Sequence, residues 1–443
     1  MIFHSVTLDA DKCQGCTNCI KRCPTQAIRV RNKKAYIITD RCIDCGECIR
    51  VCPHHAKIAV TESFNELIKY KYRVALPAPA LYGQFNNLEN VDYVLNGLKR
   101  MGFDSIFEVS KGAELVSGAT RIMLESGQLK KPVISSACPA VLRLIRTRFP
   151  NLIQNMLPLY TPVDLAAKMA REKTKKETGL SDEEIGVFFI SPCPAKRTAT
   201  RNPICYESSG INGAIAIKDI YPVLVQNMDR LTPDELESLN DSGIIGVSWA
   251  QSGGESAGLL KERYLAADGI ENVINVLEEL EDEKLNDLDF IELNCCTGGC
   301  VGGALTVENP YVAKARIQRL RRFMPVSCNS IVNEPDIDSL SWTKELTPSP
   351  AMKLADNVIK AMRMMSQLRE IEATLPGLDC GICGAPSCRA LAEDIVRGYA
   401  EETDCLLRKY QIEAPDKGED WLPLPFRMKV MVEQSDEVKK NED

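Results

Sequence analysis

The chain has 443 residues, 44% of them hydrophobic and 26% charged, with 54 basic and 61 acidic side chains and a net charge of −7. This length gives room for several domains with real cores, and the acidic balance excludes the basic footprint of a nucleic-acid binder. No apolar run nears the ~20 residues that span a bilayer, and the opening MIFHSVTLDADK lacks the cationic-then-apolar pattern of a secretory leader, so a cytoplasmic protein with neither a nucleic-acid nor a membrane partner is expected.

Residue usage narrows the chemistry. There are 19 cysteines and only 3 histidines. In a reducing compartment so many thiols point to metal ligation or redox work rather than disulfides. The histidines are His4, His54 and His55. The absence of imidazole beyond them excludes His-ligated zinc and Ser–His–Asp or Cys–His catalysis from most of the chain.

The N-terminal segment is an internal repeat. Cys13, Cys16, Cys19 and Cys23 form C-x2-C-x2-C-x3-C before Pro24, and Cys42, Cys45, Cys48 and Cys52 repeat it 29 residues later before Pro53. Asp11-Lys12 matches Asp40-Arg41, and Ala27 matches Ala56. In this arrangement the fourth cysteine of each run serves the other cluster. Cys13, Cys16, Cys19 and Cys52 should therefore hold one 4Fe–4S cube, and Cys42, Cys45, Cys48 and Cys23 the second. The intervening AIRVRNKKAYII reads as a β-hairpin. A zinc knuckle or a disulfide framework is the alternative, and the doubled spacing favours clusters. The segment resembles the bacterial two-cluster ferredoxin over residues 1–58, and a domain over 1–60 is expected.

Residues 70–348 carry seven dispersed cysteines: Cys138, Cys193, Cys205, Cys295, Cys296, Cys300 and Cys328. Short buried-strand patterns precede three of the cysteine loops: KPVIS before Cys138, GVFFIS before Cys193 and LDFIEL before Cys295 and Cys296. Each ends in a Pro- or Gly-containing loop, and helical patterns such as VLRLIRTRF and PVDLAAKMA lie between. Strands alternating with helices predict a parallel α/β sheet. Ligands of such sheets sit beyond the carboxyl ends of the strands. Cys138, Cys193, Cys296 and Cys300 would then share one edge and one site. Unconnected core thiols remain the alternative reading.

Residues 349–373 predict one long helix with Leu354, Val358, Met362, Met365 and Leu368 on a face. It would either pack on the central domain or pair with a second copy as a homodimer. Leu375-Pro376-Gly377 ends it. Residues 374–415 hold Cys380, Cys383, Cys388 and Cys405 as C-x2-C-x4-C-x16-C, with RALAEDIVRGYAEETD read as one helix returning the last cysteine. Four thiolates suit a cluster, and they also suit zinc. The DCGxCGxPxC signature resembles a small 4Fe–4S domain found in corrinoid proteins and some regulators, which implies a cluster. The charged segment 416–443 reads as a mobile tail.

The three central loops are similar to the active-site signatures of the FeFe-hydrogenase family. SSACPAV resembles the first, SPCPAKRTA the second and FIELNCCTGGCVGGA the third, in the same order. LPAPA around Ala78-Pro79, GFDSIFEVSKGAEL and GVSWAQSGGESAGLL extend the likeness over residues 70–345. The resemblance implies an α/β fold with parallel sheets and an H-cluster, a 4Fe–4S cube joined to a two-iron centre with CO, cyanide and dithiolate ligands. Carried over, Cys138, Cys193, Cys296 and Cys300 would hold the cube and Cys300 would bridge. Lys196 would donate to one cyanide, and Ala78 and Pro79 would line the other. Gly253, Gly254, Gly298 and Gly299 would let backbone approach the cofactor. Cys138, Lys196 and Cys300 would form the catalytic set.

The sequence departs from hydrogen-producing members at the proton relay. Ala137 stands where they have a cysteine, Ala199 where they have a glutamate, and Ser191 and Asn294 where they have methionines; Cys295 replaces an alanine. An intact ligand set without the relay resembles the sensory type. That implies slow turnover of dihydrogen and protons, unless Glu255, Cys205 or Cys295 supplies another route. It also implies separate maturation enzymes and a redox partner such as a ferredoxin or a signalling protein. The competing expectation is a non-enzymatic iron–sulfur carrier or cluster-assembly protein without the two-iron centre.

Overall fold

The computed structural model describes residues 3–330 and 335–413. The expected tail over 416–443 lies outside them. The chain divides into two compact units, Met1–Lys353 and Leu354–Asp443. Among the described residues no helix is long and apolar enough to cross a membrane.

The first unit opens with the doubled lobe. β1 (Val6–Leu8) and β4 (Lys57–Ala59) pair antiparallel, closing the repeat end to end. β2 (Ile28–Arg31) and β3 (Lys34–Ile37) form the predicted hairpin. Its turn residues Asn32 and Lys33 both have positive φ, 50° and 61°, the geometry of a type I′ turn. Two four-residue helices, Asn18–Lys21 and Glu47–Arg50, occupy equivalent places in the halves.

The central region contains two parallel sheets, in line with the parallel sheets that the family resemblance implies, where the strand pattern by itself reads as one. The larger has the order β6-β5-β8-β9, from β5 (Tyr72–Pro77), β6 (Ser105–Ile106), β8 (Ile185–Ser191) and β9 (Gly213–Ala216). The smaller has the order β10-β11-β7, from β7 (Val133–Ile134), β10 (Tyr264–Asp268) and β11 (Phe290–Asn294). Every residue of β8 is buried. That is the continuous apolar run expected of a central parallel strand covered on both faces. Val187, Phe188, Phe189 and Ile190 pack there against Leu76 and Leu81. The second core gathers Ile134, Ile145, Ile291 and Leu293 around the smaller sheet. The carboxyl ends of β5, β7, β8 and β11 lead into the loops of Ala78, Cys138, Cys193 and Cys295, so the expected single edge is a meeting of two sheets.

A buried ion cluster ties the segment after β4 to the central domain. Glu62 accepts from Arg197 Nη2 at 2.9 Å, Arg201 Nη2 at 2.8 Å and the Ala214 amide at 2.8 Å. The guanidinium of Arg197 stacks on Phe3, 4.4 Å from its centroid. Thr198 Oγ1 accepts from the Ser5 amide at 3.1 Å and donates to Ser5 Oγ at 2.8 Å.

The predicted helix over 349–373 is shorter and begins only within the second unit. Pro350–Met352 forms a single 3-10 turn, and the α-helix runs Val358–Thr374. Asn357 sets its start by accepting from the Lys360 amide at 3.1 Å, an N-cap bond that satisfies a first-turn donor. Leu368 is buried with Leu375, Ala390 and Leu391, whereas Val358 and Met362 stand exposed. The other predicted helix also stops early: Cys388–Val396 ends before Gly398, whose φ is 78°, and a 3-10 turn, Glu402–Asp404, delivers Cys405. Glycine in the left-handed region is a common helix terminator.

Candidate metal centres

The N-terminal lobe encloses two small cavities, each walled by four thiols. Cys13, Cys16, Cys19 and Cys52 surround one of about 330 Å³, with His54 and Lys57 in its wall. Cys23, Cys42, Cys45 and Cys48 surround the other, of about 340 Å³, with Thr25 and Ile28 in corresponding places. The fourth cysteine of each run thus crosses to the other half. Backbone amides point at the sulfurs: Ala27 N lies 3.2 Å from Cys23 Sγ, Ala56 N 3.3 Å from Cys52 Sγ, and Ala35 N 3.4 Å from Cys13 Sγ. Ala27 and Ala56 are repeat equivalents, so the two pockets share one construction.

The central cavity has about 920 Å³ of empty space, much more than either cube-sized pocket. It is lined by Cys138, Cys193, Cys296 and Cys300 together with Ala78, Pro79, Lys196 and Gly299. Ala137, at the substituted relay position, also lines it; Ala199 does not. Cys138 and Cys193 each cap a helix whose first residue is proline, Pro139–Arg148 and Pro194–Arg201. Proline at this position loses no hydrogen bond, and the helix N-terminus places partial positive charge beside the sulfur. Gly299 admits no side chain: its φ is 91° and a Cβ would meet Ser252 N at 2.4 Å. Gly253, Gly254 and Gly298 stand outside the lining and shape the loops behind it.

The electrostatics of this cavity favour a cationic occupant. Burial pushes the Cys193 thiol well up, and the charges of Cys296 and Cys138 push it further. Burial raises Cys300 to about 12 and also raises Cys138. A hydrogen bond from Cys295 lowers Cys296 to about 6 against the opposing effect of burial. Four thiolates that repel one another in a buried space become compatible only around metal. Lys196 faces Cys138, Cys300, Asp164 and Glu255 closely enough for its charge to act on each.

Two carboxyls share the cavity wall. Glu255 accepts from Ser135 Oγ at 2.7 Å, and burial followed by repulsion from Glu292 pushes its carboxyl well above the usual range. Glu292 accepts from the amides of Gly253 and Ser256, both at 2.9 Å, and from Asn294 Nδ2 at 2.7 Å; burial raises it too. Sequence reading singled out Glu255 and missed Glu292, whose signal was a carboxylate inside the buried strand FIEL. Cys205 packs away from the cavity, among Ile145 and Tyr206. Cys328 is exposed. Ser191 Oγ closes the Cys193 loop, accepting from its amide at 3.1 Å and donating to its carbonyl at 3.0 Å.

The inner N-terminal pocket adjoins the central one. Cys45 lines both cavities, and the Cys295 thiol hydrogen-bonds Cys45 and Cys296. Arg50, overlooked in the sequence, reaches across from the lobe: Nη2 donates to Gly302 O at 2.7 Å, and the guanidinium also hydrogen-bonds Cys296.

In the second unit Cys383, Cys388 and Cys405 pack around one small core. Cys380, which is exposed, precedes the tight bend at Gly381 and Gly384. The Cys388 amide donates to Asp379 Oδ1 at 2.6 Å. Four sulfurs at ~2.3 Å from one zinc would stand ~3.8 Å apart. Among the described residues no three thiols lie within 4.8 Å of one another.

Comparison with known proteins agrees with this construction. The profile described as "Iron only hydrogenase large subunit, C-terminal domain" matches residues 71–264 and 227–304. A 4Fe-4S dicluster profile matches 5–53, and an Fe-S cluster profile matches 375–407. Iron hydrogenase 1 of Clostridium pasteurianum is 23% identical over 394 residues, 72% of this chain and 68% of that protein. The NADP-reducing hydrogenase subunit HndD of Solidesulfovibrio fructosivorans is 22% identical over 115 residues, covering 24% of this chain and 20% of its own length. A structure of a variant [FeFe]-hydrogenase from Chlamydomonas reinhardtii overlays with a TM-score of 0.47 at 17% identity, over 65% of this chain and 95% of that one.

Proposed function

The chain belongs to the iron-only hydrogenase large-subunit family, and from that premise we propose that it binds and slowly turns over dihydrogen at an H-cluster, as a hydrogen sensor whose output is the redox state of its 4Fe–4S clusters. One observation carries the reading. Lys196 stands in the wall of a cavity far larger than a cube, beside four converging thiols, with Ala137 at the relay position. The donor set and the spare volume fit a cube plus a second, smaller group. Cys138, Cys193, Cys296 and Cys300 would hold the cube, with Cys300 bridging. The two-iron centre, when bound, would supply the binding and cleavage of dihydrogen.

The residues then divide the work. The Lys196 ammonium offers a charged donor to an anionic ligand, a strong form of hydrogen bond in a dry site. Val109, Ala113, Val163 and Trp249 give the cavity an apolar wall. Ala137 carries no proton, so the Glu255–Glu292 pair takes that role: one of two adjacent buried carboxyls retains a proton at neutral pH. Cys45 and Cys295 give electrons a short path to the N-terminal clusters, and the C-terminal quartet would hold a further cube. A ferredoxin or signalling protein would read the clusters, and maturation enzymes would install the two-iron centre.

The test is infrared spectroscopy of protein reconstituted with iron, sulfide and a synthetic two-iron precursor, with and without dihydrogen. Sharp CO and cyanide bands that shift under dihydrogen are expected. No bands, with four cubes by iron count, would make the protein an electron carrier of hydrogenase shape.

A further inference from the structure

The halves of the N-terminal lobe are copies offset by 29 residues, and among their differences one sets a buried lysine against an isoleucine. Ile28, five residues after Cys23, lines the pocket of Cys23, Cys42, Cys45 and Cys48. Its counterpart five residues after Cys52 is Lys57, which lines the pocket of Cys13, Cys16, Cys19 and Cys52. Lys57 is 2% exposed, and its Nζ has no hydrogen-bond partner. A buried cation without a counter-charge is among the costliest arrangements a fold can hold. It is relieved by an anionic neighbour, and a cube on four thiolates is one.

We propose that Lys57 makes the cluster of Cys13, Cys16, Cys19 and Cys52 the higher-potential member of the pair, so that electrons arriving from the central site come to rest there. The inference depends on the reading of these four cysteines as cube ligands. A fixed positive charge favours the more negative, reduced form of a cluster, and charge and hydrogen bonding at the sulfurs set its potential. In the transfer, the cluster of Cys23, Cys42, Cys45 and Cys48 loses one electron and its neighbour gains it; no bond forms or breaks.

Two features make the effect selective. Lys57 lines the pocket of Cys13, Cys16, Cys19 and Cys52 and not the other, although its charge also reaches Cys48. The other pocket has an isoleucine at the equivalent place. The direction also suits the layout, since Cys45 touches the central cavity while Cys16 is exposed. The Lys57 cluster is thus the outer one, placed to hand electrons to a partner.

The experiment is an EPR-monitored redox titration of the full chain reconstituted with iron and sulfide. Lys57→Ile should move a single one-electron step to lower potential. The partition of the electron toward that cluster should fall at least about tenfold, which is ~59 mV for a one-electron couple. Lys57→Met should do the same, and Lys57→Arg, which keeps the charge, should restore most of the parent value. Cys16→Ser identifies the cluster, because it alters that ligand set alone; the step it perturbs must be the one Lys57→Ile moves. A parent with such a step that Lys57→Ile leaves in place overturns the inference alone. A parent with no step sensitive to Cys16→Ser overturns the ligand reading and the inference with it.

Discussion

Glu62→Gln tests how the N-terminal lobe is fastened to the helix that carries Cys193 and Lys196. The Glu62 side chain is 6% exposed and faces donors at both oxygens. Oε1 accepts from Arg197 Nη2 and Arg201 Nη2, and Oε2 from Arg197 Nε at 3.1 Å and the Ala214 amide. An amide NH₂ therefore confronts at least two N–H groups in either orientation, and Arg197, whose Nη1 already lacks a partner, loses its counter-charge. Breaking a buried pair from one side costs about 3–5 kcal/mol. At ~2 °C per kcal/mol for a large unit, melting should fall by ~6–10 °C. The assay is thermal unfolding by far-UV circular dichroism of anaerobically reconstituted protein. Adding Arg197→Met should restore most of the loss, because an apolar pair replaces the broken ionic one. A single variant that melts within a degree of the parent, or a double variant worse than the single, would refute the reasoning.

Four further outcomes follow from the same geometry. Burial works to raise Glu62, but hydrogen bonds from Arg197, Ala214 and Arg201 outweigh it and hold the carboxyl below its usual 4.5. Its contribution is therefore complete above that value and lost as pH falls through the folded value, so parent and Glu62→Gln should converge in stability in acid. Glu292→Gln should slow hydrogen–deuterium exchange of dihydrogen by ~10²–10⁴-fold while the infrared bands persist; an unchanged rate would remove the carboxyl pair from the proton path. Gly254→Ala drives a Cβ to 1.8 Å from Ser248 O and should cost about 1–3 kcal/mol or more by overpacking, read as a lower melting temperature. Cys405→Ser should lose one cube's iron without gaining zinc on metal analysis; bound zinc in the parent would refute the cluster assignment there.

Legibility in the sequence followed distance along the chain. The N-terminal quartets are set by spacings of two and three residues, and the crossing of Cys23 and Cys52 follows from the known arrangement of such doubled runs. The central quartet was legible only through the strands leading into it. Their division into two sheets was not, because β7 has two residues and its pairing with β11 is set by packing of Ile134 against Ile291. The helix expected from 349 begins at Val358 because Asn357 supplies a cap bond that outweighs apolar periodicity. Glu292, Arg50 and Lys57 act from elements whose patterns say only strand or short helix. Their meaning appears once burial removes their partners or aims them at a sulfur.

The meeting of two sheets at one cavity also has a consequence for assembly. The loops of Cys138, Cys193, Cys296 and Cys300 are brought together only when both sheets have closed, and the closure entropy of such distant contacts is spent before any thiol finds metal. Iron binding is then a late event that rewards only complete chains. A polypeptide starved of iron, or stopped short of residue 300, would leave an unfilled, thiol-lined cavity in its core, open to proteases and aggregation. The cofactor site thus doubles as a checkpoint on the fold that contains it.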